Sequence, residues 1–207
     1  GLGDVYKRQL SECTTIPRGL CAAFIAQEKG HQVTLYEASD KLGGNMRLAA
    51  YPPGKGDITN MIRSYIVRCQ KAGVTIKMNQ EVTLDLIREE KPDSVIVASG
   101  SRTLILPIEG IDNPAIIHGS DLLDGKRAAG KKVLVVGGGM VGCETAAFLG
   151  EQNHDVTVIE FRDTVGADVI HEHRVYLMKD FEDYKIKEIT GAKVCKFYED
   201  GVEYETA

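Results

Sequence analysis

The sequence predicts an α/β protein made of two similar domains in tandem. Two observations carry this prediction: a stretch that occurs twice with an offset of 123 residues, and short β-branched runs that alternate with helix-forming stretches. Residues 28–37 and 151–160 are identical at five of their ten positions. The same register continues at three further pairs: Gly19 with Gly142, Asp40 with Asp163, and Gly43 with Gly166.

The composition supports large apolar cores and excludes several classes of protein. Of the 207 residues, 43% are hydrophobic and 27% are charged, and the net charge is −5. A mildly acidic chain lacks the basic surface of a nucleic-acid binder. No apolar run approaches the roughly 20 residues that span a bilayer, and no secretory leader pattern is present. We therefore expect a cytoplasmic protein without nucleic-acid or membrane partners.

The five cysteines are scattered along the chain and form no CxxC pair. This spacing gives no support to a zinc ribbon, an iron–sulfur site or an adjacent redox dithiol. The two histidines His171 and His173 are two residues apart on a predicted helix, so they do not share a face and do not converge on one ion. We expect no metal site in this chain.

The second copy of the repeat contains a complete nucleotide-binding pattern. Val133–Val136 is a short apolar run typical of a buried strand, and residues 137–142 read G-x-G-x-x-G. A helix-forming stretch follows at residues 143–152. Residues 155–160 form a second predicted strand, which ends in an acid, Glu160. Strand, glycines, helix, strand and terminal acid occur in the order that the motif requires.

Each part of this pattern has a physical reason. The first glycine, Gly137, permits a tight turn, the second, Gly139, lets a pyrophosphate approach the backbone, and the third, Gly142, allows close helix–strand packing. An anion is favoured at the helix N-terminus, and Glu160 can accept hydrogen bonds from ribose hydroxyls. The second copy is therefore predicted to be a Rossmann-like dinucleotide-binding domain. The alternative is a glycine-rich turn that binds nothing.

The first copy keeps only part of the pattern. Its helix at residues 20–26, its strand at residues 32–36 and its terminal acid Glu37 are intact, but Thr14 and Ile16 stand where the first two glycines should be. Asp4–Gln9 resembles the translation of an adapter used in sequencing libraries. We expect residues 1–16 to be an artefact or a corrupted segment, with a natural loss of phosphate binding as the alternative. Both Rossmann-like domains are thus predicted to be incomplete.

The remaining predictions concern the connecting elements. They are a loop at residues 51–56, a helix at 57–72 that ends at Gly73, strands at 74–78 and 94–98, a short helix from Thr83 to Glu90, a crossover at 107–120, a helix at 167–183, and short strands within 185–206 with a turn at Asp200–Gly201.

Five features together resemble a known superfamily. They are Glu37, the Leu42–Asn45 stretch, Val95–Gly100 followed by Pro107 and Gly110, the Gly137–Glu144 stretch, and Glu160. The chain resembles the flavin-dependent pyridine nucleotide oxidoreductases with two dinucleotide-binding domains. Residues 45–55, 139–145, 169–173 and 197–201 look closest to the C-terminal half of enoate reductases and 2,4-dienoyl-CoA reductases.

This resemblance implies a domain assignment and a set of cofactor-binding residues. Residues 17–106 would form an FAD-binding domain and residues 121–207 an NAD(P)-binding domain. The residues implied for FAD are Gly19, Glu37, Gly43, Gly44, Asn45, Val82, Ala98, Ser99 and Gly100. The residues implied for NAD(P)H are Gly137, Gly139, Gly142, Glu144, Glu160 and Arg162, with Glu144 near the nicotinamide.

The resemblance also implies an activity. NADH would pass a hydride to FAD, and the electrons would continue to an FMN and a 4Fe–4S cluster in an N-terminal barrel, which reduces activated C=C bonds. That barrel is missing here, so we expect this fragment alone to be inactive. Glu160 favours NADH, since a carboxylate repels a 2′-phosphate, while Arg162 leaves NADPH open. The alternatives are a stand-alone or subunit NADH:acceptor flavin reductase, and a nucleotide-binding fragment without turnover.

Overall fold

A computed structural model describes residues 18–206, which divide into two compact units. Unit one comprises residues 18–50 and 57–101, and unit two comprises residues 51–56 and 102–206. The predictions for residues 1–16, including Thr14 and Ile16, lie outside the described residues. Both units contain parallel β-strands together with helices, so the chain is a mixed α/β protein.

Unit one contains four helices and two strands. In chain order they are α1 (Arg18–Glu28), β1 (Thr34–Glu37), α2 (Asn45–Leu48), α3 (Asp57–Ala72), β2 (Thr75–Met78) and α4 (Leu84–Glu90). Strands β1 and β2 pair in parallel, with Thr34 opposite Thr75. The core of this unit is formed by buried residues of α1 and α3 and by the residue before β2: Leu20, Ala23, Phe24, Cys69 and Val74.

The helices of unit one begin and end at the predicted signals. Helix α3 has Asp57 in its first turn, where a carboxylate interacts favourably with the helix dipole, and Gly73 follows it with a φ of +84°. Helix α4 is capped by Thr83, whose hydroxyl accepts a hydrogen bond from Leu86 N–H at 3.2 Å. The predictions for both helices and for the strand at residues 74–78 are confirmed.

The predicted buried strand at residues 94–98 is wrong. This segment has no strand assignment, and the exposed fractions of Val95, Ile96 and Val97 are 51%, 48% and 82%. A strand needs a neighbour that pairs with its backbone, and the only pairing in unit one among residues 18–206 joins β1 to β2.

Unit two contains a three-stranded parallel sheet and a hairpin. Its elements are α5 (Gly119–Leu123), β3 (Lys132–Val136), α6 (Met140–Glu151), β4 (Asp155–Ile159), α7 (His171–Asp183), β5 (Lys187–Ile189), β6 (Ala192–Phe197) and β7 (Val202–Thr206). The sheet order is β3-β4-β5, and β6 and β7 form an antiparallel pair. The predicted β-α-β unit of the second copy and the turn near Asp200–Gly201 are both confirmed.

The core of unit two joins α6, β4 and α7. Its buried residues are Cys143, Ala146, Ala147, Leu149, Val156, Val158, Val165, Val169, Leu177, Phe181 and Ile186. Small side chains on α6 allow this helix to lie close to the strands, and Gly142 does the same at its first turn. This packing fixes the N-terminus of α6 at the carboxyl edge of the sheet.

Helix α7 begins at His171 and not at Ala167, as the sequence predicted. Residues 161–170 form a loop instead, in which Gly166 has a φ of +64° and its N–H donates to the carbonyl of Gly138 at 2.6 Å. Ile170, directly before α7, has a ψ of 145°, which is an extended conformation and prevents the helix from continuing back to Ala167. Across residues 18–206, no helix is long and apolar enough to span a membrane.

Candidate functional site

The turn between β3 and α6 has the backbone that its glycines predict. Gly137 has a φ of +98°, a conformation that L-amino acids with side chains rarely adopt. A Cβ atom at Gly142 would lie 2.9 Å from the carbonyl carbon of Gly137 and closer still to its oxygen. Glycine is therefore required at both positions, and the turn brings the N-terminus of α6 to the edge of the sheet.

Glu160 directly follows β4, and its carboxylate lies against the glycine turn. Its Oε2 accepts a hydrogen bond from Gly138 N–H at 2.6 Å, and its Oε1 accepts one from Arg162 N–H at 2.8 Å. A carboxylate has about four acceptor positions, so two remain for a ligand. The structure thus brings together the predicted residues Gly137, Gly139, Gly142 and Glu160.

Two of these residues, Gly139 and Glu160, border a cavity of about 200 Å³. Its lining consists of Gly138, Gly139, Glu160, Arg162, Thr164, Ala167 and Asp168. Arg162 and Glu160, two predicted site residues, thus line the same cavity. Four residues of the lining belong to the loop at 161–170, and of these four only Arg162 follows from the sequence as a candidate site residue.

Asp168 is the most significant residue that sequence reasoning missed. Its Oδ1 accepts a hydrogen bond from Met140 N–H at 3.0 Å, at the first residue of α6. The offset of 123 residues places Asp168 opposite Asn45 of the first copy. Extending the repeat two residues beyond Gly43 and Gly166 would have drawn attention to this pair.

Glu144 is buried, with 7% of its surface exposed, and it has two cationic or potentially cationic partners. Lys55 Nζ donates to Glu144 Oε1, and His173 Nε2 lies 3.1 Å from the same oxygen. All three residues belong to unit two, because residues 51–56 pack with it. Lys55 and His173 are 89 and 29 residues away from Glu144, so neither contact could be predicted from the sequence.

The corresponding acid of unit one, Glu37, is the last residue of β1. Its Oε1 accepts hydrogen bonds from the N–H and the hydroxyl of Ser39, at 2.9 Å and 2.8 Å. Val82 is exposed and lies two residues after Gln80, whose N–H donates to the Glu37 carbonyl at 3.0 Å. Glu37 and Val82 are thus near the same end of β1.

The other predicted residues of unit one fall into two contacting groups. A Cβ atom at Gly19 would lie 3.5 Å from Ala98 Cβ, so α1 passes close to the segment that contains Ala98. Asn45 Nδ2 donates to the carbonyl and the hydroxyl oxygen of Ser101, both at 3.0 Å, directly after the predicted residues Ser99 and Gly100.

Gly43 and Gly44 have φ values of +108° and +51° and form the turn that precedes α2. A Cβ atom at Gly43 would lie 2.9 Å from Ile62 Cγ2, so this turn is tightly packed against α3. The two glycines therefore leave the backbone of the turn uncovered by side chains of their own.

The two buried thiols, those of Cys69 and Cys143, are poorly suited to nucleophilic chemistry. Burial raises the pKa of the Cys143 thiol to about 12 and also raises the pKa of the Cys69 thiol. A thiol with a raised pKa is a poor nucleophile, because the thiolate is the reactive form. Within residues 18–206, no group of three or more His, Cys, Asp or Glu side chains is placed to hold a metal ion.

Comparison with known proteins places this geometry in a family. The family model described as pyridine nucleotide-disulphide oxidoreductase matches residues 17–207. A bilirubin reductase of Mediterraneibacter gnavus is 33% identical over 189 residues, which is 91% of this chain and 30% of that protein. An NADH oxidase of Thermoanaerobacter brockii is 35% identical over 191 residues, which is 90% of this chain and 29% of that protein.

A solved structure, a 2-naphthoyl-CoA reductase in complex with 2-naphthoyl-CoA, superposes with a TM-score of 0.89 and 34% sequence identity. The match covers 93% of this chain and 29% of that one. The chain therefore spans about 30% of the length of each of these three relatives.

Proposed function

The chain belongs to the pyridine nucleotide-disulphide oxidoreductase family, and we propose that it carries hydride from NADH to FAD. Unit two would bind the pyridine nucleotide and unit one the flavin. The observation that carries the proposal is the position of Glu160, between the glycine turn and the cavity of about 200 Å³. A carboxylate beside a helix N-terminus is the arrangement that recognises an adenosine dinucleotide.

The residues of unit two fit NADH. Gly139 and Gly142 add no side chains of their own to the turn, the N-terminus of α6 would offer backbone N–H groups to a pyrophosphate, and Glu160 keeps free acceptor positions for ribose hydroxyls. Glu144 is the residue proposed to lie near the nicotinamide, and Lys55 and His173 hold its carboxylate in place. Bound NADH supplies the hydride, and the protein supplies its position.

The proposed preference for NADH over NADPH also depends on Glu160. A 2′-phosphate on the adenosine ribose would bring its negative charge against this carboxylate, which costs free energy. Arg162 lines the same cavity and offers a positive charge that reduces this cost. The relative affinity for NADH and NADPH would therefore depend on the opposite charges of Glu160 and Arg162.

The residues of unit one fit FAD in the same way. Glu37 ends β1 with a carboxylate that can accept hydrogen bonds from ribose hydroxyls, and Gly44 in the turn before α2 leaves open space beside its backbone. Asn45, held by Ser101, and the Ala98–Gly100 segment are proposed to lie along the flavin. Bound FAD supplies the hydride-accepting ring, and Gly19, Glu37 and Val82 are proposed to fix its nucleotide half.

We further propose that the electrons leave FAD for an activated C=C bond in a substrate. The names of two relatives, a bilirubin reductase and a 2-naphthoyl-CoA reductase, support reduction of conjugated substrates, and the chain spans only about 30% of their length. The remaining length would provide an N-terminal barrel with FMN and a 4Fe–4S cluster. No CxxC or CxxxxC occurs in the chain to carry electrons by a local disulfide instead.

Glu160→Ala in the full-length protein tests the proposal. Loss of charged hydrogen bonds to ribose costs about 1.5–3 kcal/mol each, so the Kd for NADH should rise at least about 10-fold. The affinities for NADH and NADPH are measured by parallel titrations. The ratio of the NADH affinity to the NADPH affinity should fall. Glu160→Gln keeps an acceptor oxygen for Gly138 N–H and separates loss of charge from loss of turn support.

Glu182→Ala is the control, because Glu182 is an exposed acid near the end of α7 and does not line the cavity. It should leave both affinities unchanged. If Glu160→Ala changes neither the affinity for NADH nor the ratio, the dinucleotide site is not at Glu160 and the proposed function is refuted.

A further inference from the structure

Asp168 occupies the place at the start of α6 where a bound anion would be expected. Its Oδ1 accepts the hydrogen bond of Met140 N–H at 3.0 Å, and a Cβ atom at Gly139 would lie 3.2 Å from its Oδ2. The carboxylate therefore lies directly over the Gly139–Met140 backbone. Helix N-terminal N–H groups of this kind have no partner within the helix and are the donors that bind phosphates.

The loop that carries Asp168 is fastened to the glycine turn by its own backbone. Gly166 N–H donates to the Gly138 carbonyl at 2.6 Å, and Val165 is fully buried. Arg174 Nη2 donates to the Val165 carbonyl at 3.1 Å and to Thr164 Oγ1 at 2.9 Å. The position of Asp168 is thus set by the loop and persists if the carboxylate itself rotates away.

Two carboxylates consequently use the donors beside the cavity. Glu160 accepts a hydrogen bond from Gly138 N–H, and Asp168 accepts one from Met140 N–H. The two acids have different consequences for a dinucleotide: Glu160 attracts ribose hydroxyls, whereas a second carboxylate at the helix N-terminus repels a pyrophosphate and competes for the same N–H.

We propose that Asp168 is an internal competitor for the pyrophosphate of the pyridine nucleotide. Its side chain caps α6 in the free protein and must release Met140 N–H when the dinucleotide binds, and it thereby limits the affinity of unit two. This inference rests on the proposed function, since it assumes that the dinucleotide binds at α6. Asp168 would thus lower the affinity for the dinucleotide, whereas Glu160 would raise it.

The internal repeat supports this assignment. Asn45 is the residue of the first copy at the position of Asp168, and it is the neutral amide that differs from aspartate by charge but hardly in shape. Asn45 uses its amide to donate to Ser101, so the equivalent position of unit one carries no negative charge. Asp168→Asn therefore replaces the second-copy residue by that of the first copy, and it leaves an oxygen that can still accept from Met140 N–H.

The experiment compares Asp168→Asn with Asp163→Asn in the full-length protein. Asp163 lies in the same loop but does not line the cavity, so its substitution controls for the change in net charge. Dissociation constants are measured for NADH, for ADP-ribose and for adenosine, which lacks the pyrophosphate. We expect Asp168→Asn to bind NADH and ADP-ribose about 3- to 10-fold more tightly and adenosine unchanged, from the size of charge effects at a helix N-terminus.

A second test measures the melting temperature of Asp168→Ala, in which the cap is removed as well as the charge. This substitution should lower the melting temperature of the free protein, because an uncapped helix start is less stable, and saturating NADH should remove most of that deficit. A residue with only a structural role would show the same deficit with and without NADH.

The inference is overturned if Asp168→Asn weakens NADH binding, or if its effect equals that of Asp163→Asn or extends to adenosine. These outcomes differ from failure of the proposed function. If the proposed function were wrong, the wild-type protein would show no saturable NADH binding, or Glu160→Ala would not weaken NADH binding.

Discussion

Glu160 and Glu37 end equivalent strands, but their carboxylates are held in different ways. Glu160 accepts hydrogen bonds from the backbone N–H groups of Gly138 and Arg162, so its carboxylate is fixed to the glycine turn. Glu37 receives both of its hydrogen bonds from Ser39, two residues further along. The carboxylate of Glu160 is therefore held in part by the glycine turn, whereas the carboxylate of Glu37 is held by Ser39, just beyond its own strand.

The close approach of α6 to β3 depends on Gly142. We predict that Gly142→Ala lowers the free energy of unfolding by about 2–3 kcal/mol, because the added methyl group overlaps the Gly137 carbonyl and the helix must move away. Urea unfolding measures this change. Gly201→Ala is the matched control, since a Cβ atom at Gly201 meets nothing within 4 Å and should alter stability by no more than about 0.5 kcal/mol. Equal stability of the two variants would contradict the packing described here.

Single positions could be predicted from the sequence where chain geometry fixes them. The glycines at 137, 139 and 142 and the acid at 160 follow from the motif and from the repeat, and the structure brings them together. Asp168, Lys55 and His173 did not follow. Their contacts join segments that are far apart in the sequence and come together only in the folded chain. Local sequence patterns therefore do not predict them.

Helix α7 contributes to the core of unit two through one side. Leu177 and Phe181, four residues apart, are 3% exposed each, whereas Val175 is 57% exposed. We predict that Leu177→Ala destabilises the protein by about 2–5 kcal/mol, the usual cost of a large-to-small change in a packed core. Chemical denaturation measures it, with Val175→Ala as the control, expected to shift the unfolding free energy by less than about 0.5 kcal/mol. A similar loss in both variants would show that α7 does not pack as described.

Helices and hairpins with local signals were the most predictable elements. The Asp57–Ala72 helix, the Thr83 cap and the β6–β7 pair each have capping, periodicity or turn residues within a few positions. The apolar run at residues 94–98 shows the limit of such reasoning. Its composition is that of a buried strand, but burial requires a neighbouring strand, and the pairing within residues 18–206 provides none.

The repeat gives each unit one acid at the end of one strand, but the two units are compact bodies with cores of their own. Cores that share no residue should respond independently to substitution. Loss of one acid should therefore reduce the affinity for one cofactor without changing the affinity for the other.

Glu37→Ala, Glu160→Ala and the double variant test this independence. In the full-length protein, Glu37→Ala should reduce the FAD retained after purification and leave the Kd for NADH of the flavin-reconstituted protein within about twofold of wild type, while Glu160→Ala should do the reverse. In the double variant the two losses, expressed as free energies, should add to within about 0.5 kcal/mol, because the two acids contact different units. If Glu37→Ala weakens NADH binding as much as Glu160→Ala does, one nucleotide is held by both acids, and the assignment of a separate cofactor to each unit must be abandoned.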